Sequence, residues 1–312
     1  MICLSILGSA ELLWRAYGMR PTVTDTTELW AAERARLDGQ DTQRMVVLLG
    51  ASRMQLGFSH AKFHERYPNR PLVNLSVAGQ RPMASLADIA QNTSFRGTVL
   101  VSATAESISA RMDEQREWVQ RYQRGFRLNA WLNSRIAAAV QSHLVITNSG
   151  VNLLDLLKRW LWQQGLPRPN HYITLTDRSR QADFQRVDID EHRRLRVAAV
   201  RAGEGHAPDP EAWLARTQWV ETWVEAIMAR GGKVVFIRFP TADEHWDLDR
   251  AHYPRSEYWD RWANRSKAAF LHFMDVPEMQ KFELPDTSHL DERDAPAFTE
   301  SLLRELAARD LL

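Results

Sequence analysis

One cysteine in 312 residues, Cys3, leaves no partner for an internal disulfide, and no Cys/His cluster stands at the spacing of a zinc site. Charge of one sign is not in excess either. Forty basic residues against thirty-nine acidic ones give a formal net charge of +1, so no overall field steers the chain to nucleic acid. Neither Gly-x-Gly-x-x-Gly nor a Lys-Ser/Thr phosphate loop occurs, which removes the usual cradles for a nucleotide. Long apolar runs are missing too. The apolar amino terminus starting at Ile2 is interrupted by Glu11 and Arg15, short of the ~20 residues of a bilayer span, and it lacks the basic start of a secretory signal. Three readings of it stand: the tail of a transmembrane anchor that begins upstream of Met1, an interfacial anchor with Trp14 and Arg15 at the headgroups, or a plain packing helix. The expectation is a membrane-associated protein whose domain faces the periplasm, with a cytoplasmic place left open.

A composition of 44% hydrophobic and 25% charged residues suits a globular chain with a large core. Met45 to Leu49, Pro71 to Leu75 and Thr98 to Ser102 are apolar on both faces, and His60 to Tyr67 and Met83 to Gln91 read as helices between them. Strands of that kind belong in a parallel sheet covered on both sides. Glu28 to Arg36 is a further helix near the start. After Glu106 the alternation stops until Lys233 to Phe239, which resumes it after a helix that runs from Pro210 and ends at Gly231-Gly232. The fold class expected is therefore α/β, a three-layer α/β/α arrangement on a parallel, flavodoxin-like sheet of about five strands. Residues 1–40 form anchor or packing helices, and residues 41–312 form the α/β domain with 107–207 as a helix-rich insertion.

Within the insertion, Trp118, Tyr122, Trp131, Ile136 and Val140 suit one apolar helical face, and Leu153, Leu156, Leu157, Trp160 and Leu161 another. Core is the expected place for both, with a lid, a membrane-lying face or a partner surface as alternatives. The arginine-rich stretch 177–206 reads as a solvated helix laced with ion pairs, or as a rim for an anionic glycan or lipid headgroup. Thr241 to Pro254 is rich in Asp and His but fits no metal spacing, and a solvated loop is expected there. Ser256 to Leu271 reads as helix, Phe282 to Leu284 as the fifth strand, and Asp291 to Leu311 as the closing helix.

Two fragments carry chemistry. The first strand runs into Gly50-Ala51-Ser52-Arg53, where Gly50 lets the chain turn sharply and leaves Ser52 at the carboxyl edge of the sheet. Far along the chain comes Asp286-Thr287-Ser288-His289. A serine hydroxyl becomes a nucleophile when a base takes its proton and a third group orients that base, roles open to His289 and Asp286. The plainer reading makes Ser52 a helix N-cap and the second fragment another helix start.

The order of these fragments resembles the SGNH (GDSL-like) esterases and acyltransferases. In that family the nucleophile follows the first strand, a Gly after the second strand and an Asn after the third lend oxyanion donors, and Asp-x-x-His closes the chain. Ser52 matches the first block, Gly79 in Val73-Asn74-Leu75-Ser76-Val77-Ala78-Gly79-Gln80 the second, and Asp286 with His289 the last. The third block departs, because Thr98 to Ser102 continues as Ala103-Thr104-Ala105-Glu106 with no Gly-x-Asn-Asp, and Ala51 stands where the best-known signature has Asp. Ser102, Thr104 or Asn74 would have to supply the missing donor, and Arg53 and Arg238 are further substrate-binding candidates, with a structural ion pair the equal alternative for Arg238 inside its apolar strand.

The nearest resemblance is to divergent, membrane-anchored members of bacterial cell-surface polysaccharide pathways. It implies a serine-dependent acyl-ester hydrolase or O-acyltransferase acting on a cell-surface polysaccharide or related acylated substrate, with no cofactor and no metal. Its partners would be an acylated glycan or small ester and a membrane or membrane acyltransferase, not nucleic acid. The other reading keeps the fold but makes the chain a weakly active or inactive accessory protein that binds glycan or such an acyltransferase.

Overall fold

The computed structural model describes residues 2–39, 41–109, 114–125, 128–203 and 207–312, so 110–113, 126–127 and 204–206 of the expected insertion lie outside the described residues. The chain opens with α1 (Ile2–Ala16) and α2 (Thr27–Ala35), the latter started by the Thr26 hydroxyl, which accepts the Leu29 amide. The fully buried β1 (Val46–Leu49) turns into α3 (Ser52–Gly57) and α4 (His60–Arg66). Then come β2 (Leu72–Asn74), α5 (Met83–Asn92) and β3 (Thr98–Ser102). A helical stretch follows: α6 (Ala105–Ser109), α7 (Arg116–Gln123), α8 (Leu128–Gln141) and α9 (Leu153–Leu161). It leads to an antiparallel hairpin of β4 (Tyr172–Thr174) and β5 (Arg180–Ala182), and to α10 (Ile189–Gly203). The chain closes with α11 (Pro210–Met228), β6 (Lys233–Arg238), α12 (Asp243–His252), α13 (Trp259–Ala263), β7 (Ala269–His272) and α14 (Ala295–Ala308).

Five strands form one parallel sheet in the order β2-β1-β3-β6-β7. Alternation along each strand explains why both faces are apolar. Val47, Leu49, Val99, Val101, Val234 and Phe236 join a core with α5, α11 and α13, whereas Val46, Leu48, Leu100, Val235 and Ile237 join the opposite core with α3, α4 and α14. The fold is thus a three-layer α/β/α sandwich. In this strand order the chain switches direction between β1 and β3, and the carboxyl ends of those strands open the crevice in which such sheets place ligands.

Five local expectations change. Phe282 to Leu284 is not a strand; the fifth strand is β7, and the helix expected over Ser256 to Leu271 contains only the short α13. A four-residue apolar run carries too little periodicity to separate a strand from the end of a helix. Of the stretch expected as a solvated helix over 177–206, the described residues 177–203 form the end of a hairpin and then α10, and the hairpin turn holds Arg178 at a positive φ of 63° with the Asp177 carboxylate accepting the Ser179 amide at 2.9 Å. Thr241 to Pro254 is not a solvated loop: most of it is α12, and His245 is buried. Finally, α9 has no buried residue, although its leucines were expected in the core. Among the described residues no helix is long and apolar enough to cross a membrane.

Arg178 ties three distant segments together. Its buried guanidinium donates to Asp25 at 2.7 and 2.9 Å, to the Asn74 carbonyl at 2.5 Å and to the Ser76 carbonyl at 3.0 Å. Removing it takes both short hydrogen bonds from the Asp25 carboxylate and one from each of the Asn74 and Ser76 carbonyls, with Gln55 Nε2 a further side-chain donor to Asp25 and Ser76. Arg178→Ala should therefore cost about 3–5 kcal/mol of stability in urea unfolding, and a loss under ~1 kcal/mol would remove it from the framework.

Candidate active site

β1 ends at Gly50, whose φ is +157°; a Cβ there would lie 2.9 Å from the Cβ atoms of Met54 and Ser102. Only glycine tolerates that approach, and it lets the chain pass across the end of β3 before α3 begins at Ser52. The other half of the site is the loop before α14. Asp286 Oδ1 accepts the amides of Ser288 at 3.0 Å and His289 at 2.7 Å, which folds Asp-x-x-His into a tight turn. Thr287 takes a positive φ of 71° there, and the loop is pinned by the Ala242 amide donating to the Thr287 carbonyl at 2.9 Å.

The turn aims both imidazole nitrogens. His289 Nδ1 lies 2.7 Å from Asp286 Oδ2, and His289 Nε2 lies 2.7 Å from Ser52 Oγ. Because an ionised carboxylate can only accept, Nδ1 carries the proton and Nε2 is left to accept from the serine hydroxyl. Ser52, His289 and Asp286 therefore form one continuous hydrogen-bonded chain, with the imidazole and carboxylate both buried.

Burial pushes the His289 imidazole below its ordinary value; the Asp286 charge opposes this, and the cations of Arg196 and Arg53 add to it. A free base near neutral pH is the result. Burial alone would raise the Asp286 carboxyl, but the His289 hydrogen bond and charge, together with Arg196, hold it well below the usual carboxylate range. Asp286 stays ionised and can balance an imidazolium.

Arg196 escaped the sequence reading. It comes from α10 in the arginine-rich stretch, and its Nη2 lies 3.3 Å from Asp286 Oδ2 and 3.0 Å from His289 Nδ1. With the proton on Nδ1, the carboxylate is the acceptor that this guanidinium serves. His192, one turn earlier on α10, approaches the same oxygen at 3.9 Å. No sequence signal separated these two from the neighbouring residues of the run, since an exposed ion pair has the same charge pattern.

The remaining candidates divide. Arg53 is brought to the site, donating through Nε to Ser288 Oγ at 3.0 Å and placing a second nitrogen 3.1 Å from His245 Nε2. Among the described residues it forms no ion pair, and burial together with the cations of Arg238 and Arg196 lowers it to about 10. His245, itself buried and beside Arg53, falls to about 4 and is neutral. Gly79 follows β2 with a φ of +74° and open space around it, the left-handed turn that a glycine supplies. Ser102 stands at the end of β3 against Gly50.

Asn74, Thr104 and Arg238 are occupied elsewhere. Asn74 is buried, donating to the Arg178 carbonyl at 3.2 Å and accepting the Ser76 amide at 3.0 Å. The Thr104 hydroxyl accepts the Ser107 amide at 3.2 Å, which caps α6, and shares a hydrogen bond with Ser107 Oγ at 3.0 Å. Arg238 pairs with Asp249 and bonds Thr241 and the Phe239 carbonyl, a buried structural ion pair.

No family model matches the chain, and no curated protein matches it. It is similar to the crystal structure of TesA, at 12% identity and a TM-score of 0.40 over 86% of this chain and 99% of that one. It is also similar to a candidate acylhydrolase from Bacteroides fragilis, at 14% identity and a TM-score of 0.41 over 93% of this chain and 100% of that one. Likenesses this loose transfer no activity, and the site stands on its own distances.

The active form of the base is deprotonated, so with His289 held low the acid limb of kcat/KM should fall below the ordinary imidazole value of 6.5. Arg196→Gln removes one of the cations that depress His289 and should move that limb to higher pH. An unchanged limb in the pH profile of the variant would separate Arg196 from the base.

Proposed function

We propose that the protein is a serine-dependent acyl-ester hydrolase. The observation that carries this reading is the unbroken chain from Ser52 Oγ through both nitrogens of His289 to Asp286. His289 Nε2 takes the hydroxyl proton as Ser52 Oγ attacks the ester carbonyl, and Asp286 balances the imidazolium. The tetrahedral intermediate collapses when His289 returns that proton to the departing alkoxide, which leaves an acyl-serine. Water, deprotonated by the same nitrogen, then releases the acid and restores Ser52. Oxyanion donors in this scheme are the backbone amides of Ser52 and Gly79, with Ser102 as the side chain at hand. With Asn74 and Thr104 committed elsewhere, fewer donors imply a slow enzyme, since one donor is worth about 10²–10³ in rate.

The substrate is read as anionic. An unpaired guanidinium in a half-buried place is costly, and Arg53 stands next to the nucleophile with further donor capacity. An acylated, negatively charged cell-surface glycan is the narrowest form of this reading, and a sugar hydroxyl replacing water would make the same site an O-acyltransferase. An accessory role needs no proton path from Ser52 to Asp286, which leaves that reading less well supported.

A fluorophosphonate probe should label Ser52 in the folded protein. Ser52→Ala should abolish labelling, and His289→Ala should slow it by roughly 10⁴-fold. Equal labelling of wild type and Ser52→Ala would end the proposal. Arg53→Gln should raise KM for an ester with a carboxylate or phosphate several-fold and leave a neutral ester of the same length unchanged; equal effects on both would refute the anionic substrate.

A further inference from the structure

Helix α9 wears its amphipathicity inside out. Leu153, Leu154, Leu157, Trp160 and Leu161 recur at the spacing of a single helical stripe, and all five face solvent, Leu153 at 83% exposure and Trp160 at 74%. The half-buried side carries Asp155, Leu156 and Arg159 instead. Asp155 accepts the Gly150 amide at 2.9 Å and an Asn152 side-chain N–H at 2.7 Å, and Arg159 donates to the Gly165 carbonyl at 3.2 Å. These contacts brace the two ends of the helix within its own segment, and Val151 packs that segment against Met19 and Val145. Beyond its end, Trp162 and Leu166 are exposed as well.

Helix α1 also leaves apolar side chains exposed, among them Ile6, Leu7, Leu12 and Leu13. The two helices are rooted in one corner of the molecule. Trp14 and Met19 pack with Val145 and with Val151, just ahead of α9. Glu11 accepts the amides of Val145 and Ile146 at 3.0 Å, and Arg15 donates to the His143 carbonyl at 2.6 Å. Exposed leucine and tryptophan side chains concentrated on one helical stripe mark an interaction site.

We propose that α9, together with α1, seats the protein on the surface of a lipid bilayer that contains anionic lipid. The residue chemistry selects this occupant. Exposed tryptophans beside leucines are the side chains that settle at the headgroup boundary. Lys158 is well exposed on the helix, with Asp155 at 3.8 Å, and Arg168 is exposed beyond the helix end, while the one acid of the helix, Asp155, is half-buried and held by hydrogen bonds from Gly150 and Asn152. That charge pattern complements an anionic headgroup layer. This surface stands independently of the hydrolase reading, because none of its residues belongs to the triad.

The test is flotation of the full chain with vesicles of phosphatidylcholine alone or with one quarter phosphatidylglycerol. Wild type should float with the mixed vesicles and bind the neutral ones more weakly. Combining Leu154→Ser, Leu157→Ser and Trp160→Ser should reduce partitioning at least about ten-fold, with the melting midpoint unchanged because these side chains are exposed. Lys158→Glu alone should weaken binding to the anionic vesicles only. Quenching of wild-type tryptophan fluorescence by brominated lipid reports the same seating without any substitution. The proposal is overturned if wild type stays unbound, if the triple variant floats as well as wild type, or if sedimentation shows a lipid-free dimer that the triple variant dissolves.

Discussion

The site depends on one buried carboxylate. Asp286 accepts two backbone amides, the imidazole N–H of His289 and an Arg196 contact, so every direction around it is used. Those amides hold the turn, the turn aims His289, and the imidazole reaches Ser52 as a consequence. A carboxylate with no exposed surface is tolerable only when compensated in this way. Its ionised state and the free-base state of His289 are therefore two results of one local arrangement.

The sheet supplies the other half of the geometry. Parallel pairing of β1 with β3 brings the ends of both strands to one edge, and Gly50 allows the chain to cross that edge without collision. Ser52 then opens α3 while α14 and its preceding loop pack on the same face. The insertion contributes from outside this frame, through Arg196 and His192 on α10 and through Arg178 at the hairpin turn. It is thus part of the site and of the framework at once, while α9 presents its apolar stripe away from both.

Legibility differed from element to element for physical reasons. β1, β3 and β6 could be read because a strand buried on both faces is an unbroken apolar run bounded by turns. β7 could not, since Ala269 to His272 follows a Trp-rich helical spacing and is too short to show its own period. Ser52, Asp286 and His289 were legible because their residue types and order carry a chemical role. Arg196 was not: in a run of arginines, nothing local marks the one whose guanidinium meets a buried carboxylate. Asn74 and Thr104 show the reverse case, because each holds a backbone partner that their residue type alone does not reveal.

What the sequence by itself determined is the α/β/α architecture, the glycine turn after the first strand and the three residue types a proton relay needs, because each follows from local periodicity or intrinsic chemistry. What only the tertiary structure decided is which partners those groups meet. Hydrogen bonds and ion pairs between segments more than a hundred residues apart depend on chain crossings and helix rotations, as with Arg178 on Ser76 or the outward turn of α9. A periodic pattern defines a face but not the direction in which the fold points it.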